Sequence, residues 1–140
     1  GWVMAFWGAV LRGVVVVPLE PSSSAAVIEK IGGLTAAKLV LGNAELVPLE
    51  GQRAGALPPA DLNGDDLLQI LFTSGSTAEP KGVLITHKNV LANLGPVAGE
   101  IRRYQAYGRP FHPLRFINLL PLSHMFGQAM TMFIPPVLAA

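Results

Sequence analysis

Between Leu67 and Ile85 the chain runs apolar, then small and polar, then apolar again. This pattern constrains the local architecture more tightly than any other stretch. Leu67-Leu68-Gln69-Ile70-Leu71-Phe72 leads in, and Val83-Leu84-Ile85 leads out. The residues between, Thr73-Ser74-Gly75-Ser76-Thr77-Ala78-Glu79-Pro80-Lys81-Gly82, hold four hydroxyls, two glycines and one lysine. Valine and isoleucine dominate the exit and favour a strand. The unit therefore reads as strand–loop–strand, with Pro80 stiffening the turn. Such a loop suits an anion, because glycines let backbone N–H groups approach, hydroxyls donate hydrogen bonds and the lysine adds positive charge. It equally suits an ordinary Gly/Ser/Thr-rich hairpin, since the same residues favour turns. Composition alone leaves both readings open.

The loop is not a Walker A sequence, which needs glycine before its lysine and Ser or Thr after it. Here those neighbours are Pro80 and Gly82, and the exit is a strand rather than a helix. Thr-Ser-Gly-Ser-Thr-x-x-Pro-Lys-Gly instead resembles the phosphate-loop signature of the acyl-adenylate-forming, or AMP-binding, superfamily. Ala78 departs from that pattern, which has glycine there; at positive φ an alanine costs on the order of 1 kcal/mol. A second stretch, Asn118-Leu119-Leu120-Pro121-Leu122-Ser123-His124-Met125-Phe126-Gly127, resembles the family's strand–Pro-Leu-x-His–helix segment beside the acyl pocket. A third, Gly8 to Leu19 with Pro21 following, resembles the helix–Gly–strand–Pro segment upstream of the loop. Together these matches span nearly the whole chain, and Met125-Phe126-Gly127 leans towards the fatty acyl-CoA synthetase branch.

The resemblance implies a fold, a reaction and a set of sites. The fold would be α/β: residues 1–140 as a partial N-terminal adenylate-forming domain, a mostly parallel sheet flanked by helices, with a strand–loop–strand phosphate loop. The reaction would be ATP-dependent activation of a carboxylic acid, such as a fatty acid, as acyl-AMP, followed by CoA thioester formation. Thr73, Ser74, Gly75, Ser76, Thr77, Lys81 and Gly82 would bind the ATP phosphates. Lys81 and His124 would be the catalytic pair, and His124, Met125, Phe126 and Gly127 would border the acyl group. Mg²⁺ would accompany ATP, with its protein ligand in a motif this chain does not contain. Two alternatives stand beside this: a fatty-acyl-AMP ligase or amino-acid adenylation domain, and a non-catalytic nucleotide-binding module.

Bulk properties narrow the partners. A net charge of +1 gives no electrostatic footprint for nucleic acid. Arg102-Arg103, flanked by Tyr104 and Tyr107, reads as a solvated helix end. With no cysteine, disulfide and thiol chemistry are excluded and the cytoplasm is the expected compartment. The resemblance to fatty-acid enzymes adds peripheral membrane contact to that expectation. The three histidines, His87, His112 and His124, show no metal-ligand spacing; His87 reads as a helix start and His112 as a loop residue. Trp2 to Val17 and Met125 to Ala140 are apolar but shorter than the roughly 20 residues of a spanning helix. Hydrophobic residues make up 51% of the chain, and both ends are apolar. A piece of a larger core is the expectation.

Periodicity supplies the elements. Trp2 to Arg12 reads as a buried helix stopped at Gly13. Val14 to Val17 reads as a strand covered on both faces. A helix N-capped within Ser22–Ser24 runs to about Ile31, ended by Gly32-Gly33, and Lys38 to Leu41 is another strand. Residues 42–66, rich in Pro and Gly, read as a loop or linker, with room for a short strand around Leu46 to Leu49. A helix beginning at Thr86 or His87 puts Val90, Leu94, Val97, Ile101 and Tyr104 on one face, kinked at Gly95-Pro96. Arg115 to Leu120 reads as strand, and Met125 to about Ile134 as helix.

Overall fold

The computed structural model describes residues 1–46, 58, 60–73, 79–108, 110 and 115–139. Its elements are α1 (Trp2–Leu11), α2 (Ala25–Thr35), α3 (Asn43–Leu46), β1 (Leu67–Thr73), β2 (Lys81–Thr86) and α4 (His87–Gly108). A continuous helical stretch follows: α5 (Met125–Gln128), a π turn (Ala129–Phe133) and α6 (Ile134–Ala139). No helix among the described residues is long and apolar enough to cross a membrane.

The helix ends follow from local chemistry. Past α1, Gly13 takes φ 67°. Its N–H donates to the Val10 carbonyl at 3.1 Å and Val14 N–H to the Ala9 carbonyl at 2.9 Å, the paired bonds of a Schellman cap. Ser24 N-caps α2, its hydroxyl accepting from Val27 N–H at 3.4 Å. The expected stop at Gly32-Gly33 is corrected: α2 continues to Thr35 and turns at Ala36, with φ 50° and ψ 41°. Ala37 N–H donates to Gly32 O and Ala36 N–H to Gly33 O, so the same cap forms with alanine in the left-handed position. The glycines tolerate the helix because neither is needed at positive φ.

α4 starts where expected. Thr86 N–H donates to Asn89 Oδ1 at 3.0 Å while Asn89 N–H donates to Thr86 Oγ1 at 3.2 Å, a reciprocal capping box. The helix runs on through Pro96 to Gly108. Val90 is buried, and Leu94 packs on the core beside it. Val97 and Tyr104, expected on the same face, are exposed. The last stretch begins at Met125 as expected but extends beyond Ile134 to Ala139. In a regular α-helix the Pro135 ring presses on the carbonyl four residues back. The π turn immediately upstream is where the helix absorbs that misfit.

The sheet differs from expectation. β1 and β2 pair antiparallel, from Leu67↔Thr86 to Thr73↔Lys81, with an irregularity between Leu67 and Gln69. The mostly parallel sheet is thus corrected among the described residues to this hairpin plus one parallel bridge, Val16↔Gln69. Val16 N–H donates to Leu68 O at 3.1 Å, and Ile70 N–H donates to Val16 O at 2.9 Å. Val14 and Val15 are exposed, so Val14–Val17 is not a strand covered on both faces. Lys38–Leu41 and Arg115–Leu120 are likewise not strands. Their composition is strand-like, but a strand exists only where a neighbour accepts its backbone hydrogen bonds. Leu39 is 72% exposed and Leu119 91%. Within residues 42–66, α3 replaces the start of the short strand, while residues 47–49 lie outside the described residues, as does His112.

The core joins all three regions that carry motifs. Phe6 and Val10 of α1, Leu68 of β1, Val90 of α4, and Met132 and Phe133 of the π turn form one buried cluster. Phe6 and Trp7 meet the Phe133 ring edge-on at 6.0 and 5.8 Å, and Trp2 stacks on Phe6 at 5.4 Å.

Candidate functional site

The hairpin presents its loop from a fixed base. Thr73 and Lys81 are the last register partners of the β1–β2 ladder, at the end where residues 74–80 connect the two strands in sequence. Ser74, Gly75, Ser76, Thr77 and Ala78, the centre of the sequence motif, lie outside the described residues. Thr73 and Lys81 are both exposed. Lys81 makes no ion pair with any described residue. Gly82 has a packing reason: a Cβ there would stand 2.9 Å from Ile70 Cγ2 and 3.2 Å from Phe72 Cζ.

The second motif is a turn entering a helix. His124 N–H donates to the Pro121 carbonyl at 3.2 Å, closing Pro121–His124, and the His124 carbonyl then accepts from Gln128 N–H at 3.1 Å to start α5. The imidazole makes no capping bond. Its Nε2 lies 3.3 Å from Glu20 Oε1, with the histidine side chain 65% exposed. The same carboxylate oxygen accepts from Ser123 Oγ. Glu20 therefore ties the segment after Val16 to the His124 turn. Met125 is partly buried on the core, Phe126 is exposed, and Gly127 is buried. A Cβ at Gly127 would overlap the Pro121 carbonyl, the one that accepts from His124.

Beside this turn lies an open cavity of about 360 Å³ walled by Phe116, Leu120, Leu122, Met130 and Pro135. Its polar members, Asn118 and Thr131, are bonded to each other, and Asn118 Nδ2 also donates to Gly127 O at 3.1 Å. Apart from that bonded pair, the lining is apolar. His124, Met125, Phe126 and Gly127 are not among the residues lining it.

Two glutamines that the motif reading passed over connect the halves. Gln69 of β1 and Gln128 of α5 are both fully buried. Gln128 Nε2 donates to Leu122 O at 2.9 Å, which turns its Oε1 towards Gln69. Gln69 Nε2 donates to that oxygen at 2.8 Å and faces Met125 Sδ at 3.6 Å. The Leu122 carbonyl can only accept, so it fixes both amide orientations, and Gln69 Oε1 is left without a hydrogen-bond partner among the described residues. The sequence signal was present, as each glutamine interrupts an apolar run and a buried amide needs partners.

Residues 43–140, well over half of the chain, match the AMP-binding enzyme family. The chain belongs to that family. Among curated AMP-binding relatives, it is 39% identical over 72 residues to long-chain-fatty-acid–CoA ligase 5 of Rattus norvegicus, a match covering 51% of this chain and 10% of that protein. It is 42% identical over 62 residues to long-chain-fatty-acid–CoA ligase 1 of Saccharomyces cerevisiae, covering 44% and 8%. The L-proline–[L-prolyl-carrier protein] ligase of Pseudomonas fluorescens is 36% identical over 116 residues, covering 64% and 23%. The chain thus spans about a tenth of the length of the long-chain ligases it matches. Among the described residues no group of three or more His, Asp or Glu side chains is placed to hold a metal ion.

Proposed function

We propose that these residues serve an ATP-dependent acyl-CoA synthetase acting on long- or medium-chain fatty acids, supplying its phosphate loop and part of its acyl wall. In the first half-reaction a carboxylate oxygen bonds to the α-phosphorus of ATP and the bond to pyrophosphate breaks. In the second, the CoA thiol sulfur bonds to the acyl carbon and AMP leaves. Thr73, Ser74, Gly75, Ser76, Thr77 and Gly82 cradle the phosphates, and Lys81 offsets their charge as the pentavalent centre forms. His124, with Met125, Phe126 and Gly127 following it, borders the acyl carboxylate, and Glu20 Oε1 at 3.3 Å fixes the imidazole.

One observation carries this reading. The family's loop signature joins the strands of an antiparallel hairpin whose last register pair includes Lys81, a lysine with no ion pair among the described residues. The apolar cavity beside the His124 turn supports a hydrocarbon acyl group. Similarity to a carrier-protein ligase over 64% of the chain supports a second reading, the same adenylation with a carrier thiol as acceptor.

The test is Lys81→Ala in the intact protein, read by carboxylate-dependent ATP–pyrophosphate exchange. A charge-assisted contact is worth about 1.5–3 kcal/mol, so exchange should fall roughly tenfold to hundredfold. Exchange unchanged within about twofold would remove Lys81 from the phosphate site, on the same scale. A protein that binds ATP without any exchange would be a nucleotide-binding module instead.

A further inference from the structure

The reaction joins a carboxylate, held near one motif, to a phosphate held by the other, so the placement of β1–β2 relative to the His124 turn sets the rate. The geometry points to Gln69 and Gln128 as a positioning pair for that placement, an inference resting on the adenylating-ligase reading above. Gln69 lies within β1, whose far end holds Thr73 opposite Lys81. Gln128 N–H reaches the His124 carbonyl, and its side chain reaches Leu122 O. The 2.8 Å bond between the two amides therefore runs from the phosphate hairpin to the residues on either side of Ser123. Both amides are fully buried, so water does not compete for their bond.

The pair is also directional. Leu122 O orients Gln128, Gln128 orients Gln69, and Gln69 Oε1 is left unmatched among the described residues. An apolar pair of the same size would fill the space without that unmatched oxygen. What it would lack is a bond of fixed length and angle, and hydrogen bonds discriminate geometry as close packing alone does not. A small error in the approach of reacting groups costs rate far more than binding.

The experiment compares the intact wild-type protein with Gln69→Met, Gln128→Met and the double variant. Thermal unfolding is measured alongside carboxylate-dependent pyrophosphate exchange, with KM for ATP and for the fatty acid determined separately. A positioning role predicts that kcat falls about tenfold to hundredfold while both KM values stay within about threefold. It also predicts that the double variant loses no more kcat than the worse single variant, since the residues act as a unit. The double variant leaves neither amide facing an apolar partner, so it keeps the test decisive where a single variant folds poorly. A folded double variant with wild-type kcat overturns the positioning role and leaves the ligase reading intact. A wild-type protein without carboxylate-dependent exchange overturns that reading, and the pair's role with it.

Discussion

Gly127→Ala sets two physical expectations against each other. In an exposed helix, replacing glycine by alanine stabilises by about 0.8–1.0 kcal/mol. Gly127 is in α5, so propensity alone predicts a more stable protein. The packing predicts the opposite: the new methyl would overlap the Pro121 carbonyl oxygen and approach Leu120 O at 3.2 Å. Both obstacles are backbone, which cannot rotate away as a side chain does. Inserting a methyl into such a contact costs about 1–3 kcal/mol. Set against the propensity gain, the net is a loss of up to about 2 kcal/mol. The strain falls on the Pro121 carbonyl that accepts from His124 N–H, so relief moves the His124 turn. A displacement near 1 Å at a reacting group costs on the order of a hundredfold in rate. Thermal unfolding and pyrophosphate exchange on the intact protein read the two effects together. A Gly127→Ala protein that melts higher than wild type with unchanged exchange would refute the packing argument.

Two other substitutions test separate points. His124→Ala should slow adenylation or alter acyl selectivity while shifting stability by less than about 1 kcal/mol, because its pairing with Glu20 is largely exposed; a lower melting temperature with intact kinetics would make the histidine structural. Ala36→Gly should stabilise, since alanine at φ 50° costs roughly 1–2 kcal/mol and glycine's greater unfolded-state freedom takes back about 0.4–1 kcal/mol. A lower melting temperature for Ala36→Gly would contradict the left-handed cap.

Features set by neighbouring residues were legible in the sequence. Gly13 as the stop for α1, Ser24 within the expected N-cap window, Thr86 before α4 and the strand–loop–strand unit all depend on a few consecutive residues. Features needing a distant partner were not. Val14–Val17, Lys38–Leu41 and Arg115–Leu120 each have strand composition, but only Val16 finds a bridging neighbour among the described residues. Ile117 at 89% exposed and Leu119 at 91% show what a strand-like sequence becomes without one. The α2 terminus failed differently: glycine was read as a breaker, yet the chain spends its left-handed turn on alanine three residues later than Gly33.

The site divides along the same line. The loop motif and the His124 turn are contiguous in sequence, and their local frames, a hairpin and a capless helix start, follow from consecutive residues. What joins them is separated by 59 residues between Gln69 and Gln128 and by 103 between Glu20 and Ser123. Neither link has a spacing rule, because each depends on how the core stacks β1 and α1 against the π turn. A polar residue within an apolar run is nevertheless a local signal with a long-range consequence. Burial without a partner costs about 1–3 kcal/mol, so such a residue implies a second polar group somewhere in the same core. Gln69 within Leu67–Phe72 states that requirement, and Gln128, beside buried Gly127 in α5, meets half of it. The unmet half, Gln69 Oε1, belongs to the bond that joins the two motifs rather than to either motif.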